Sequence, residues 1–339
     1  MQASAIRPLA SLTRGTQPRT VVATVKRTTF LVLLLMISSL SFAAADGGGS
    51  TSALIAGPLP WWGWASLLFA FTVLLGVIAV IGGVGGGVLF VPIVSAVFPF
   101  HFDFVRGAGL MVALCGALSA GPRLLKGGLA SMRLGLPMAL LGSIGSIAGA
   151  MIGLALPTGI VEALLGMVIV GIVVLMLLSK RSEFPDVPTG DPLGRWLGIH
   201  GRYTESTTGD TVEWQVHRTP IALLVYLGIG VVGGMFGLGA GWANVPALNL
   251  LLGAPLRIAV ATSGFVMTLN SSAAAWVYLN SAAVLPLVTV PSIAGMMIGA
   301  RLGARILPLV PAKVIRWVVI ALLSLAGGRS LIAGIMEIV

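Results

Sequence analysis

Long apolar runs alternate with short polar joints along this chain. The runs cover about 61–81, 88–98, 107–122, 134–156 and 159–178, and then about 220–236, 242–253, 258–279, 283–300 and 314–335. Most approach the ~20 residues that an α-helix needs to cross a bilayer. Two are shorter. A helix over 88–98 rises only about 16 Å against a hydrocarbon core of roughly 30 Å, and 242–253 is little longer. These two are expected to be half-helices or parts of broken spans. Trp61, Trp62 and Trp64 open the first run as an interfacial aromatic anchor.

Each short segment follows a glycine run. Gly82-Gly83-Val84-Gly85-Gly86-Gly87 leads to Val91-Pro92, and Gly237-Leu238-Gly239-Ala240-Gly241 leads through Asn244 to Val245-Pro246. The two stretches match without a gap at Gly83/Gly237, Gly85/Gly239, Gly87/Gly241, Val91/Val245 and Pro92/Pro246, an offset of 154 residues. Gly76-Val77 and Gly230-Val231 extend the match upstream. After a short indel, Gly149-Ala150-x-x-Gly153 is aligned with Gly299-Ala300-x-x-Gly303, small-residue motifs that let helices approach closely. Glycine runs unwind helices, and lipid does not tolerate unpaired backbone, so each break belongs in protein or at a cavity. Breaks at corresponding places in two halves point to the binding centre of a transporter.

The remaining segments divide the chain. Residues 1–45 read as a signal peptide or a first membrane helix: five basic residues and no acid precede a short apolar run and Ala43-Ala44-Ala45. An organellar transit peptide has a similar start. Residues 46–60 form a Gly/Ser/Pro linker, 61–178 a first transmembrane repeat, 179–219 a polar cytoplasmic loop read as a solvated linker with a short strand or interfacial stretch at Thr211–Val216, and 220–339 a second repeat. Basic residues gather at the ends of the apolar runs, and one pass per segment puts them on one side of the membrane. Five passes per half is odd, so the second half enters with opposite polarity. The expected fold is all-α: a polytopic transmembrane bundle of two inverted-topology repeats, with helices broken at the glycine motifs.

Composition agrees. Hydrophobic residues make up 57% and charged residues 9%, against about 25% charged in soluble domains; mean hydropathy is +1.04. The formal charge of +10 follows the helix ends, so it argues for topology and not for nucleic-acid binding. The single cysteine, Cys115, excludes a disulfide or thiolate cluster within one chain.

No enzyme motif survives. Neither glycine run has the G-x-G-x-x-G spacing, and the Walker lysine, H-E-x-x-H and a pair of intramembrane aspartates are all missing. No cofactor or metal is expected, and the chain is read as no enzyme. What remains suits binding of a small anion: helix N-termini after Gly87 and Gly241, glycines that admit close approach, and hydrogen-bonding side chains. The candidate substrate-binding residues are Gly83, Gly85, Gly87, Pro92, Gly237, Gly239, Gly241, Asn244, Pro246, Thr262, Ser263 and Asn270. Arg106 and Asp103 read as interfacial, Arg106 with a role in admitting an anion open to it. The bilayer and a small anion are the expected partners, with a homo-oligomer left open. A non-transporting anchoring subunit and an anion channel are the competing readings.

The paired glycine–proline signatures, the Ala261-Thr262-Ser263 segment, the Gly299-Ala300-Arg301-Leu302-Gly303-Ala304 motif and the polar mid-chain loop together resemble the sulfite exporter TauE/SafE family of anion permeases, over about residues 65–335. The resemblance implies a multi-pass protein of the cell membrane that moves sulfite, sulfoacetate or related sulfur-containing organic anions. Two places depart from the pattern. Gly107-Ala108-Gly109 stands where the family often has Ala-Thr-Ser, and His101-Phe102-Asp103 faces Pro255-Leu256-Arg257 of the second half.

Overall fold

The computed structural model describes residues 60–82, 85–126, 130–178, 190–204, 211–306 and 312–338. The leader 1–45 and residues 46–59 of the linker lie outside them. The first half comprises α1 (Trp61–Gly82), α2 (Gly86–Val97), α3 (Phe102–Lys126), α4 (Met132–Ala155) and α5 (Thr158–Leu178). A connecting unit holds α6 (Pro192–Trp196), β1 (His200–Thr204) and β2 (Thr211–Gln215). The second half comprises α7 (Thr219–Phe236), α8 (Gly241–Pro246), α9 (Leu256–Asn280), α10 (Pro286–Ile306) and α11 (Ala312–Ile338). Among the described residues eight helices are long and apolar enough to cross a membrane: α1, α3, α4, α5, α7, α9, α10 and α11. Faces of α4 and α5 expose Leu140, Ile144, Met151, Met167 and Val170, which is the natural outer surface for a protein dissolved in lipid.

Both short segments are half-helices, as their lengths require. α2 turns back along α1: Phe98, just past its end, packs edge-on to Phe71 and Trp64 near the start of α1, with ring centroids 5.4 and 6.4 Å apart. The glycine break thus forms the bend of a hairpin inside the bundle. In the second half α7 stops at Gly237, whose φ of +69° is a left-handed conformation that a Cβ opposes. Gly239 repeats it at +64°. α8 lasts six residues and passes at Pro246 into a π-helical turn, Ala247–Leu251. Proline has no N–H to continue the α ladder, and the wider turn absorbs the interruption.

The halves are held together by one small-residue interface that occurs twice. A methyl on Gly145 of α4 would strike the carbonyl of Leu227 on α7, and one on Gly299 of α10 would strike the carbonyl of Val73 on α1. Gly230 lies on the Gly142 carbonyl and Gly76 on that of Met296. Each contact maps onto its counterpart by the same 154 residues. Gly145 therefore takes the place of Gly299, and the expected pairing of Gly149 with Gly299 after an indel is corrected: the repeat runs ungapped through α4. Pro137/Pro291 and Pro157/Pro311 fall into register with it. The corresponding helices α5 and α11 run antiparallel, since Gly159 meets Glu337 while Gly166 meets Leu331.

The described residues of the connecting unit are folded, which corrects the expectation of a solvated linker there, while β2 coincides with the short strand expected at 211–216. β1 and β2 pair antiparallel, His200 opposite Gln215 and Thr204 opposite Thr211. Ile199, Trp214 and Val216 are buried in one core with Leu248, Leu252 and Ile258 of the second half. The Asp191 carboxylate accepts from the Thr219 hydroxyl at 2.9 Å and from the Thr219 N–H at 3.3 Å, tying the unit to the first turn of α7. Apolar side chains between the charges supply the burial that mixed charge and proline conceal in a sequence average.

Candidate functional site

The two glycine breaks meet. A Cβ on Gly85 would lie 3.4 Å from the Cα of Gly241, and one on Gly241 would lie 3.2 Å from the Cα of Gly85. Backbones this close need glycine on both sides. The Met267 side chain of α9 covers the junction, with Sδ 3.3 Å from the Gly85 position, 2.9 Å from that of Gly241 and 3.8 Å from that of Gly239. Gly87 packs on the carbonyl of Leu238, 2.5 Å from its Cβ position, so it too belongs to the junction. α2 begins here: the Val88 N–H reaches back to the Gly85 carbonyl at 3.1 Å, and no side chain caps the end. Orphan N–H groups at a helix start carry partial positive charge.

Polar groups around the junction come from the second half. Ser271 is buried on α9 with its Oγ 3.4 Å from the Cβ position of Gly239, and that hydroxyl has no hydrogen-bond partner. The counterpart in the first half is Ala117. Trp242, next to Gly241, packs against both large apolar cores, and its indole N–H is likewise unpaired. On the first-half side Gly86 faces Met296. The junction therefore has a polar flank and a thioether flank.

The expected site residues divide by position. Gly85, Gly87, Gly239 and Gly241 line the junction, while Gly83 lies outside the described residues. Gly237 packs on the backbone carbonyl of Arg106. Pro92 and Pro246 lie within their half-helices. Asn244 is fully buried; its Nδ2 donates to the Ser263 carbonyl at 3.4 Å and its Oδ1 is unpaired. The Thr262 hydroxyl accepts from the Ser131 N–H at 3.1 Å, next to the start of α4, and the Ser263 hydroxyl donates to Val260 in its own helix. Asn270 faces α4, where its Oδ1 accepts from Ser143 at 3.2 Å and its Nδ2 has no partner. Asn244, Thr262 and Asn270 make contacts between segments, Ser263 takes part only through its carbonyl, and Met267 and Ser271 are in the junction. Sequence reasoning did not single out Met267, and Ser271 counted there only among the hydrogen-bonding side chains of the second half. The 154-residue offset carried the signal, because it sets Met267 opposite Ala113, and Ala113 abuts Gly239.

Arg106 is enclosed by protein to a degree that its place near a helix start does not reveal, being 1% exposed. Nη2 donates to Asp103 Oδ1, Nη1 donates to the Met235 carbonyl at 2.9 Å, and the guanidinium lies 5.0 Å from the Phe102 ring centroid. Among the described residues no group of three or more His, Cys, Asp or Glu could hold a metal ion.

Among the described residues, eight apolar helices long enough to cross a membrane, packed around two facing helix breaks, define a polytopic α-helical membrane protein of the transporter class. The chain belongs to the sulfite exporter TauE/SafE family, whose profile matches residues 67–330. It is 26% identical over 280 residues to the "Probable membrane transporter protein YunE" of Bacillus subtilis (strain 168), a match covering 79% of this chain and 99% of that protein. No solved structure matches it. The chain is a multi-pass membrane permease, and family and relative both indicate a transporter where an enzyme motif was already missing.

Proposed function

We propose that the protein carries small oxyanions, sulfite or an organosulfonate such as sulfoacetate, through the junction of the two breaks. One observation carries this reading: the uncapped N-terminus of α2 opens at Gly85 against Gly241, and the unpaired, buried Ser271 hydroxyl stands beside Gly239. A helix N-terminus favours an anion, and a free hydroxyl supplies a donor to its oxygens. Gly85, Gly87, Gly239 and Gly241 let the anion reach the backbone, and Asn244, Thr262, Ser263 and Asn270 hold the helices that frame it.

The two halves act as inverted repeats. The twice-used α4–α7 and α10–α1 interface and the antiparallel run of α5 against α11 support this, because corresponding helices of an inverted repeat run in opposite senses. Transport then proceeds by rocking one half on the other, with the paired small-residue interfaces as sliding surfaces.

The test is uptake of labelled sulfite, sulfoacetate and sulfate into proteoliposomes, with and without a pH gradient. Saturable uptake of sulfite or sulfoacetate is expected. Uptake that rises without saturation points to a channel, and no flux of any of the three overturns the reading.

A further inference from the structure

The Arg106 cluster lies at the end of α7 and is not part of the junction itself. We propose that Arg106 is a latch on the face of the protein that carries His101, released when a permeating oxyanion takes the place of the Asp103 carboxylate on its guanidinium. This rests on the anion-permease reading and adds to it a residue that controls entry.

A charge inside a membrane bundle persists only when paired and hydrogen-bonded. Arg106 has both, and its partners belong to different parts of the molecule. Asp103 lies one turn away on α3, whereas the Met235 carbonyl belongs to the last turn of α7, where carbonyls lack partners within the helix. Tyr278 of α9 adds to the same place: its hydroxyl lies 3.1 Å from the carbonyls of both Gly234 and Met235, and its ring centroid is 5.9 Å from the Arg106 guanidinium. Gly153 of α4 packs on Nη1, with a Cβ position 2.8 Å away. The cluster thus joins α3 and α4 of the first half to α7 and α9 of the second. Gly237, which opens the second break, lies against the Arg106 backbone, so the latch and the break form one piece.

Two features give the latch a second position. The guanidinium keeps a buried donor, Nε, without a partner. The Asp103 carboxylate has a way out: its side chain reaches solvent at 29% exposure, beside His101 at 46%, whose Nδ1 accepts the Asp103 backbone N–H at 3.3 Å. An arginine fork that binds a carboxylate fits a sulfite or sulfonate group equally well. An oxyanion arriving at this face can take Nη1 and Nη2 together while the Asp103 carboxylate turns to solvent, and the Met235 carbonyl of α7 loses its donor. Only a ligand that favours the open arrangement shifts such an equilibrium, and here the anion itself does so. The residue in the place of Arg106 in the second half is Val260, so the device serves one face.

The experiment reads access to the junction and does not need transport. Ser271→Cys is introduced into the full-length chain in a Cys115→Ser background. Its reaction with a membrane-impermeant thiol reagent is timed in right-side-out and inverted vesicles. Slow labelling from the His101 face is expected in the parent. D103N should accelerate it by about tenfold or more, and R106K, which keeps the charge without the fork, should accelerate it less. Sulfoacetate, which unlike sulfite does not itself consume a thiol reagent, should accelerate labelling in the parent and leave D103N unchanged. If D103N does not accumulate, D103E replaces it, with a smaller increase expected. Equal labelling rates in the parent, R106K and the Asp103 variant overturn the latch, while saturable anion uptake by the wild type leaves the permease reading intact. Absent uptake overturns the permease reading whatever the labelling shows.

Discussion

A single methyl group on Gly241 tests the junction directly. The added Cβ would lie 2.9 Å from Met267 Sδ and 3.2 Å from the Cα of Gly85. The thioether is the free end of a flexible side chain and can move, but it already touches the positions of Gly85 and Gly239, so there is little room to receive it. The Gly85 backbone cannot yield without shifting α2. Overpacking of this kind costs about 1–3 kcal/mol, roughly 5- to 150-fold in the population of the native junction. The control is Gly264→Ala in α9, whose Cβ would have nothing within 4 Å; removing a helix-interior glycine there is expected to gain up to about 1 kcal/mol. Both variants are reconstituted, flux is normalised to inserted protein, and thermal unfolding is followed in detergent. G241A should transport poorly and unfold earlier than G264A. Met267→Ala in the same chain should restore part of the loss, because it removes the shorter of the two contacts. If G241A transports and unfolds like G264A, the breaks do not meet as described.

Two further outcomes follow from the interfaces. Gly145→Ala and Gly299→Ala should lower thermal stability by similar amounts, a few kcal/mol each, since each methyl strikes a backbone carbonyl in the same repeated contact; Gly228→Ala, in open space, should not destabilise, and a large difference between the first two would refute the ungapped repeat. Asp191→Ala should cost about 1–2 kcal/mol through loss of its two bonds to Thr219, read as a lower unfolding temperature and faster proteolysis of the connecting unit; unchanged proteolysis would show that the buried Trp214 core alone holds that unit in place.

Apolar run lengths determined the class of this protein, because a bilayer core demands about 20 apolar residues per crossing and nothing else in the chain supplies it. The same arithmetic separated α2 and the α8 segment as half-helices, and the glycine runs located both breaks, since glycine is the residue that interrupts a helix without steric cost. The 154-residue offset was legible as well, although Pro137/Pro291 and Pro157/Pro311 had to be weighed against two glycine motifs that also align four residues out of register. Helical small-residue motifs repeat every four residues, so they fit at more than one offset; the contact of Gly145 with Leu227 and of Gly299 with Val73 decided between them.

Burial and partnership were decided only by the tertiary structure. An arginine in the first turn of a helix looks the same whether it meets water or the end of another helix, and the carbonyl that buries Arg106 comes from Met235, 129 residues away. Thr262, Asn270 and Ser271 stand on one helix, and sequence could not tell which faces a neighbouring helix and which faces the break. Packing turned Thr262 toward Ser131, Asn270 toward Ser143 and Ser271 toward Gly239. A sequence records where backbone can break and which stretches lipid accepts, because those are local properties of composition. Which broken ends meet, and which polar atoms are left for a ligand, depends on contacts between segments far apart in the chain.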